Sequence, residues 1–314
     1  MRTFIILSIV LVLLLTCLSS CSIFKIADGH IKKKLKRSGM QFHTLETEEY
    51  TITYWDTGDQ TKPPYVLLHG FGASTRFQWH GQAKKLTKTH RLILPNLLYF
   101  GSTPKKEGLY HISDQVQVMT TLLEHLKLDT MVLGGISYGG VVAAELALTR
   151  ADKVQKLTLF STPVKYFKES DLTPIEKDFE VDDLGELLIP KDHKVMRDLF
   201  KLTMYKPPAV PGFILKDLHK NLYQHEANNN GQIELLNALR ADVDLLSNRN
   251  YAFDFPVLLV WGEADKLIPP RIGNQLKEHL SNSELHMIPK AGHAPCVEQK
   301  RKFNKILLDF LAEN

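Results

Sequence analysis

The sequence predicts an α/β fold, with a mostly parallel central sheet flanked by helices and an inserted helical cap. Three observations predict it. Short apolar runs recur along the chain and alternate with helix-like stretches, the pattern of a parallel sheet wrapped by helices. Several of these runs are apolar throughout, as strands buried on both faces are. One long stretch, residues 163–250, breaks the alternation with charged, helix-prone sequence around "KPPAVPG".

The amino terminus stands apart from this pattern. Arg2 precedes the apolar run "FIILSIVLVLLL" and the small-residue stretch "TCLSSC", the build of a secretory signal peptide. The run from Phe4 to Leu18 is short for a membrane-spanning helix, which needs about 20 apolar residues. Leu18-Ser19-Ser20-Cys21 resembles the lipobox of bacterial lipoproteins. That resemblance implies removal of residues 1–20 and a lipid anchor on Cys21. Ser22 is then of the type that permits sorting to the outer membrane, so a membrane-anchored place in the cell envelope is implied. An uncleaved membrane anchor is the alternative. The chain has three cysteines, Cys17, Cys21 and Cys296, so after acylation Cys296 lacks a partner and no disulfide framework is available. "IKKKLKR" at 31–37 is expected to lie in a basic tether over 21–48. It would either meet anionic headgroups, at about 1 kcal/mol per charge near the surface, or simply be solvated. A net charge of +4 over 314 residues is too small to argue for nucleic acid.

The core is expected over 49–162 and 251–314. Its strand candidates in order are "YTITYW" from Tyr50, "YVLLHG" from Tyr65, "RLILPN" from Arg91, "TMVLGG" from Thr130 and "KLTLFST" from Lys156. After the cap at 163–250 come "PVLLVWG" from Pro256 and "ELHMIPKAGH" from Glu284. The helix candidate "HISDQVQVMTTLLEHLKL" puts Val116, Met119, Leu122, Leu123 and Leu126 on one side at three- and four-residue spacing. "RKFNKILLDFLAEN" does the same with Phe303, Ile306, Leu307 and Phe310.

Gly135-Ile136-Ser137-Tyr138-Gly139 matches G-x-S-x-G, preceded by an apolar strand and followed by the helix-like "VVAAELALTR". In such a nucleophile elbow the strand turns sharply into a helix with serine at the apex, and the residues two before and two after must be small. A serine hydroxyl is a weak nucleophile and needs a base, which in turn needs an orienting acid. The order for this architecture is serine, acid, histidine. Asp265 in "WGEADKLIPP" and His293 in "PKAGHAPCVE" both follow strand candidates, where an open α/β sheet presents its site. Glu263 is the competing acid. With 13 histidines in the chain, position rather than residue type singles out His293. An oxyanion hole needs backbone N–H donors, expected from Tyr138 and from Phe71 in the glycine-flanked "HGFGAS". His69 is expected to order that loop. "GFGAST" lacks the third glycine of a dinucleotide fingerprint, and no phosphate-loop lysine, H-E-x-x-H or C-x-x-C pattern occurs, so neither metal nor cofactor is implied.

"HGFGAS", "GISYGG", "WGEADKLIPP" and "AGHAPCVE" together resemble the α/β-hydrolase superfamily from about Thr51 to the carboxyl terminus, and its capped esterases and lipases most. The anchored amino terminus and helical cap look like those of membrane-bound monoacylglycerol lipases. The resemblance implies a triad of Ser137, Asp265 and His293, an oxyanion hole at Phe71 and Tyr138, and ester substrates, small-molecule or lipid. No obligate protein partner is implied. "PNLLYFGST" departs from the pattern, with Asn96 and Tyr99 where many relatives carry aspartate and glycine. Leu199, Phe200, Met204, Tyr205, Phe213 and Ile214 in the cap point to acyl chains, although most are expected simply to pack. Two other functions fit the same residues less well: carbon–carbon bond hydrolysis or cofactor-free haloperoxidase chemistry on the same fold, and a surface lipoprotein that only binds a ligand.

Overall fold

The structure is a computed structural model that describes residues 22–72, 74–223 and 226–313. Cys21 and the signal-like segment lie outside the described residues. Nine strands form one sheet in the order β1-β2-β4-β3-β6-β7-β8-β9, with β5 beside β2. The strands are β1 (Gln41–Glu46), β2 (Tyr50–Asp56), β3 (Pro64–Leu68), β4 (Arg91–Pro95), β5 (Thr103–Pro104), β6 (Met131–Ile136), β7 (Val154–Phe160), β8 (Val257–Gly262) and β9 (Ser283–Ile288). β1 and β2 are antiparallel, as are β2 and β4, whereas β4, β3, β6, β7, β8 and β9 run parallel. The fully buried runs "RLILP", "MVLGGI" and "VLLVWG" occupy the interior of the sheet, as continuous apolar sequence requires.

Helices cover both faces. α2 (Thr75–Leu86) and α13 (Lys300–Ala312) enclose a core with Trp79, Phe160 and Phe303 at its centre. On the other face α3 (Ile112–His125) and α4 (Tyr138–Thr149) pack with Met119, Leu122 and Val142 inward. α3 buries Val118 and leaves Val116 only partly covered, a small rotation from the expected face. The chain passes from β3 to β4 on one side and returns to β6 on the other. The order therefore reverses between β3 and β6, where open α/β sheets leave a crevice beyond the strand ends. The loop after β3 carries Phe71, and the turn after β6 carries Ser137.

Of the tether expected over 21–48, residues 22–48 are described, and they are folded onto the core. Ile23–Arg37 forms α1, which opens with the Ser22 hydroxyl accepting from the Lys25 N–H at 3.2 Å. Phe24 is buried beside Phe77, Leu35 is fully buried, and Arg76 pairs with Asp28 at 2.5 Å. β1 then adds an edge strand to the sheet. Only three positions of α1 are buried, yet Phe24, Ala27, Ile31 and Leu35 recur at three- and four-residue spacing among the lysines, a helical period that the tether reading passed over. No helix among the described residues is long and apolar enough to cross a membrane.

Between β7 and β8 the regular structure of the described residues is helical: a 3₁₀ turn at Glu169–Asp171, then α5 (Thr173–Phe179), α6 (Gly185–Leu188), α7 (His193–Thr203), α8 (Gly212–Tyr223), α9 (Glu226–Ala241) and α10 (Val243–Asn248). α1 touches this insertion directly, since the Phe24 N–H donates to Asp217 Oδ2 on α8 at 2.7 Å.

Candidate active site

Ser137 sits at φ 54°, ψ −125°, a conformation that costs a non-glycine residue on the order of 1–3 kcal/mol. Its neighbours explain how the turn closes. A Cβ on Gly135 would stand 2.2 Å from the Gly139 carbonyl oxygen, and one on Gly139 would stand 2.1 Å from that of His69. Only glycine permits both approaches. The Ser137 N–H donates to the Phe160 carbonyl of β7 at 2.9 Å. The Ser137 carbonyl accepts from Gly140 and Val141 at 2.9 and 3.1 Å, opening α4. Ser137 is half-buried, with buried residues on both sides.

Asp265 lies in the turn after β8 and is buried. Its Oδ1 accepts from the N–H groups of Leu267 and Ile268 at 3.0 and 2.9 Å, which fixes the carboxylate plane. Its Oδ2 accepts from His293 Nδ1 at 3.0 Å. An ionised carboxylate only accepts, so Nδ1 carries the proton and Nε2 of the neutral ring is left as an acceptor. Glu263, the competing acid, is exposed.

Ser137 and His293 line one cavity together with Phe71, Phe200, Thr203 and Tyr223. Ser137 also lines a second, overwhelmingly apolar slot that runs into the insertion, walled by Phe167, Leu172, Leu184, Leu188 and Leu239. Tyr138 is the first residue of α4, so its N–H has no carbonyl one turn back to take it. Among the described residues the Phe71 N–H has no hydrogen-bond partner. The rings of Phe71 and Tyr138 meet edge to face at 6.0 Å, which brings their two segments together.

Residues 63–300 match the family model of the alpha/beta hydrolase fold. The chain belongs to the α/β-hydrolase fold family. Among its curated relatives is monoacylglycerol lipase ABHD6 of Bos taurus, 27% identical over 285 residues that cover 87% of this chain and 83% of that one. Another is 2-hydroxy-6-oxo-2,4-heptadienoate hydrolase of Pseudomonas putida, 25% identical over 256 residues that cover 79% of this chain and 89% of that one. Among solved structures, that of a membrane phospholipase A superposes with a TM-score of 0.80 over 99% of this chain and 98% of that one, at 20% identity. That last likeness is one of fold.

Within this α/β-hydrolase frame His69 orders the loop after β3. Its Nδ1 donates to the Gly70 carbonyl at 2.8 Å and its Nε2 accepts from the Leu97 N–H at 3.0 Å. Burial holds its pKa down at about 4. Below pH 6.5 the unfolded chain binds a proton that the folded ring refuses until about pH 4, so this contribution is full above 6.5 and is lost as pH falls to 4. The shift corresponds to about 3 kcal/mol. His69→Gln is therefore expected to flatten the acid limb of the stability curve between pH 6.5 and 4, read from urea midpoints at stepped pH. An unchanged slope would reject this account. Burial lowers His80 and His90 as well, so part of the limb remains in the variant.

The departure at Asn96 and Tyr99 is accommodated. Asn96 Oδ1 accepts from the Thr75 N–H and its Nδ2 donates to Thr53, so the amide ties α2 to β2. Tyr99 takes a left-handed φ of 67°, and its carbonyl accepts from Gln232 of α9. A Cβ on Gly231 would fall 2.0 Å from the Tyr99 ring, so α9 approaches that side chain more closely than any residue but glycine allows.

Glu298, at the end of α12 (Pro295–Glu298), escaped the sequence reading. Its carboxylate accepts from Gly292 N–H at 2.7 Å and from Tyr205 N–H at 2.9 Å, while the His293 N–H donates to the Thr203 carbonyl at 2.8 Å. The loop holding His293 is thereby tied to the insertion. The only signal was a carboxylate five residues after the histidine.

Proposed function

We propose that the protein is a serine hydrolase that cleaves carboxylic esters. Ser137 Oγ attacks the carbonyl carbon while His293 Nε2 takes its proton. Asp265 holds the ring in the required tautomer and stabilises the imidazolium. The N–H groups of Tyr138 and Phe71 receive the developing oxyanion. The protonated ring then gives its proton to the leaving alcohol, and the acyl group stays on Ser137. His293 next activates a water, which releases the acid and restores the serine.

The observation that carries the reading is the pairing of chemistry with shape: a strained serine that shares one cavity with His293, itself bonded to Asp265, and that also lines a largely apolar slot. That lining suits an acyl chain, and its cation, Arg240, is already paired with Asp183 and Glu169. The substrates we expect are short- to medium-chain acyl esters, monoacylglycerols among them. An anchor at Cys21 would keep the enzyme where such amphiphiles partition. Each methylene accommodated in the slot contributes about 0.8 kcal/mol. In a series of p-nitrophenyl esters kcat/KM should therefore rise with chain length and then level off. A flat profile, with monoacylglycerols untouched, would reject the lipid-ester reading in favour of carbon–carbon bond hydrolysis.

A further inference from the structure

We infer that the insertion holds a second acyl compartment, entered past Leu236, for the far end of chains too long for the slot beside Ser137. This rests on the ester-hydrolase reading. The slot has a volume of about 80 Å³, and Asp183, Gly185 and Leu236 are among its walls. The same three residues bound a neighbouring cavity of about 520 Å³. A single layer of residues therefore separates the two spaces. Beyond it Val181, Ile189, Val195 and Ile233 offer apolar surface, with Glu186 and Lys191 among the polar groups. A cavity of mixed lining holds a hydrocarbon tail and still tolerates water.

The layer has a fixed part and a movable part. Asp183 Oδ1 accepts from the Gly185 N–H at 2.6 Å, and its Oδ2 is paired with Arg240, which also pairs with Glu169. The Leu184 N–H donates to Glu176 at 3.3 Å. Backbone 183–185 is thus held from several sides. Leu236 on α9 is only half-buried and has no polar group to anchor it. Its side chain can change rotamer without breaking a hydrogen bond. Gly185 keeps the layer thin: a Cβ there would stand 2.7 Å from Asp183 Oδ1 and 3.5 Å from Leu236 Cδ1. A larger residue at 185 would seal the passage. With the passage available, long chains keep the rate of the chain that fills the slot. Without it, they would be excluded.

The test is the ratio of kcat/KM for p-nitrophenyl dodecanoate to that for the butyrate, measured on the full chain. The ratio cancels any change in the fraction of folded enzyme. Gly185→Val, which closes the layer, and Val195→Trp, which fills the far compartment, should each lower it about tenfold or more, given about fourfold per methylene buried. Leu236→Ala should raise it several-fold. Ratios within about twofold of the unmodified protein for both Gly185→Val and Val195→Trp would overturn the second compartment while leaving ester hydrolysis intact. Failure of the unmodified protein to cleave either ester would overturn the parent reading and this one with it.

Discussion

Ser137→Ala is expected to abolish ester hydrolysis and leave the fold unchanged. Among the described residues the Ser137 hydroxyl makes no hydrogen bond, so its removal costs the native state little. The unusual backbone at this position is held by its neighbours. The Ser137 N–H bonds to β7, its carbonyl opens α4, and the glycines on either side admit the close approaches. Alanine keeps all of these. Turnover should nevertheless fall on the order of 10⁴-fold or more, because the residual oxyanion and binding contributions act without a nucleophile. Circular dichroism and the melting temperature should match the unmodified protein, and a fluorophosphonate should label Ser137 in the parent only. Near-normal turnover in a clean preparation would sink the nucleophile assignment. Labelling at another serine would move it. A parent that fails to react at all would favour the ligand-binding lipoprotein.

How much of this was legible in the sequence depended on how local the constraint is. The turn at Ser137 could be read because contacts of about 2 Å between backbones on either side of it leave glycine no substitute at 135 and 139. The meeting of Asp265 and His293 could be read because both follow apolar strands in the parallel sheet, and the parts we propose for them rest on chain order. β1 was missed because it is an edge strand that buries little, with an alternation too weak to register. The slot was legible only in kind. Leu199 and Phe200 do line the cavity shared by Ser137 and His293, but Tyr205 and Phe213 are exposed, at 49% and 66%. The slot is walled instead by leucines of the 172–188 stretch and of α9 and α10. Which leucines of a helical insertion face inward is set by how its helices dock, and composition does not carry that. Glu298 went unread for a related reason: its two partners, Gly292 and Tyr205, come from segments far apart in sequence.

Asp265→Asn and His293→Ala should each cause large losses of turnover, whereas Glu263→Gln should do little. Asparagine at 265 can still accept from Leu267 and Ile268 through its carbonyl oxygen, because those two bonds hold Oδ1 in place. Its amide nitrogen then occupies the position of Oδ2 and points a donor at His293 Nδ1. The ring must answer as an acceptor there, which moves its proton to Nε2. A protonated Nε2 cannot take the Ser137 proton, so the variant stays folded with its base in the wrong tautomer. A loss on the order of 10⁴-fold in kcat is expected, as for the corresponding change in a serine–histidine–aspartate triad. His293→Ala removes the base outright and should cost a comparable factor, since residues acting as one unit do not contribute additively. Glu263 is exposed, and its Gln variant should retain activity within about twofold, as surface changes away from a site do. The three variants are compared at equal concentrations of active sites, counted by burst titration where a burst survives and by folded protein where it does not. Equal damage from Glu263→Gln and Asp265→Asn would move the orienting acid to Glu263. The 3.0 Å bond between Asp265 and His293 would then be a structural contact, and the tautomer argument would have to be rebuilt around an exposed carboxylate.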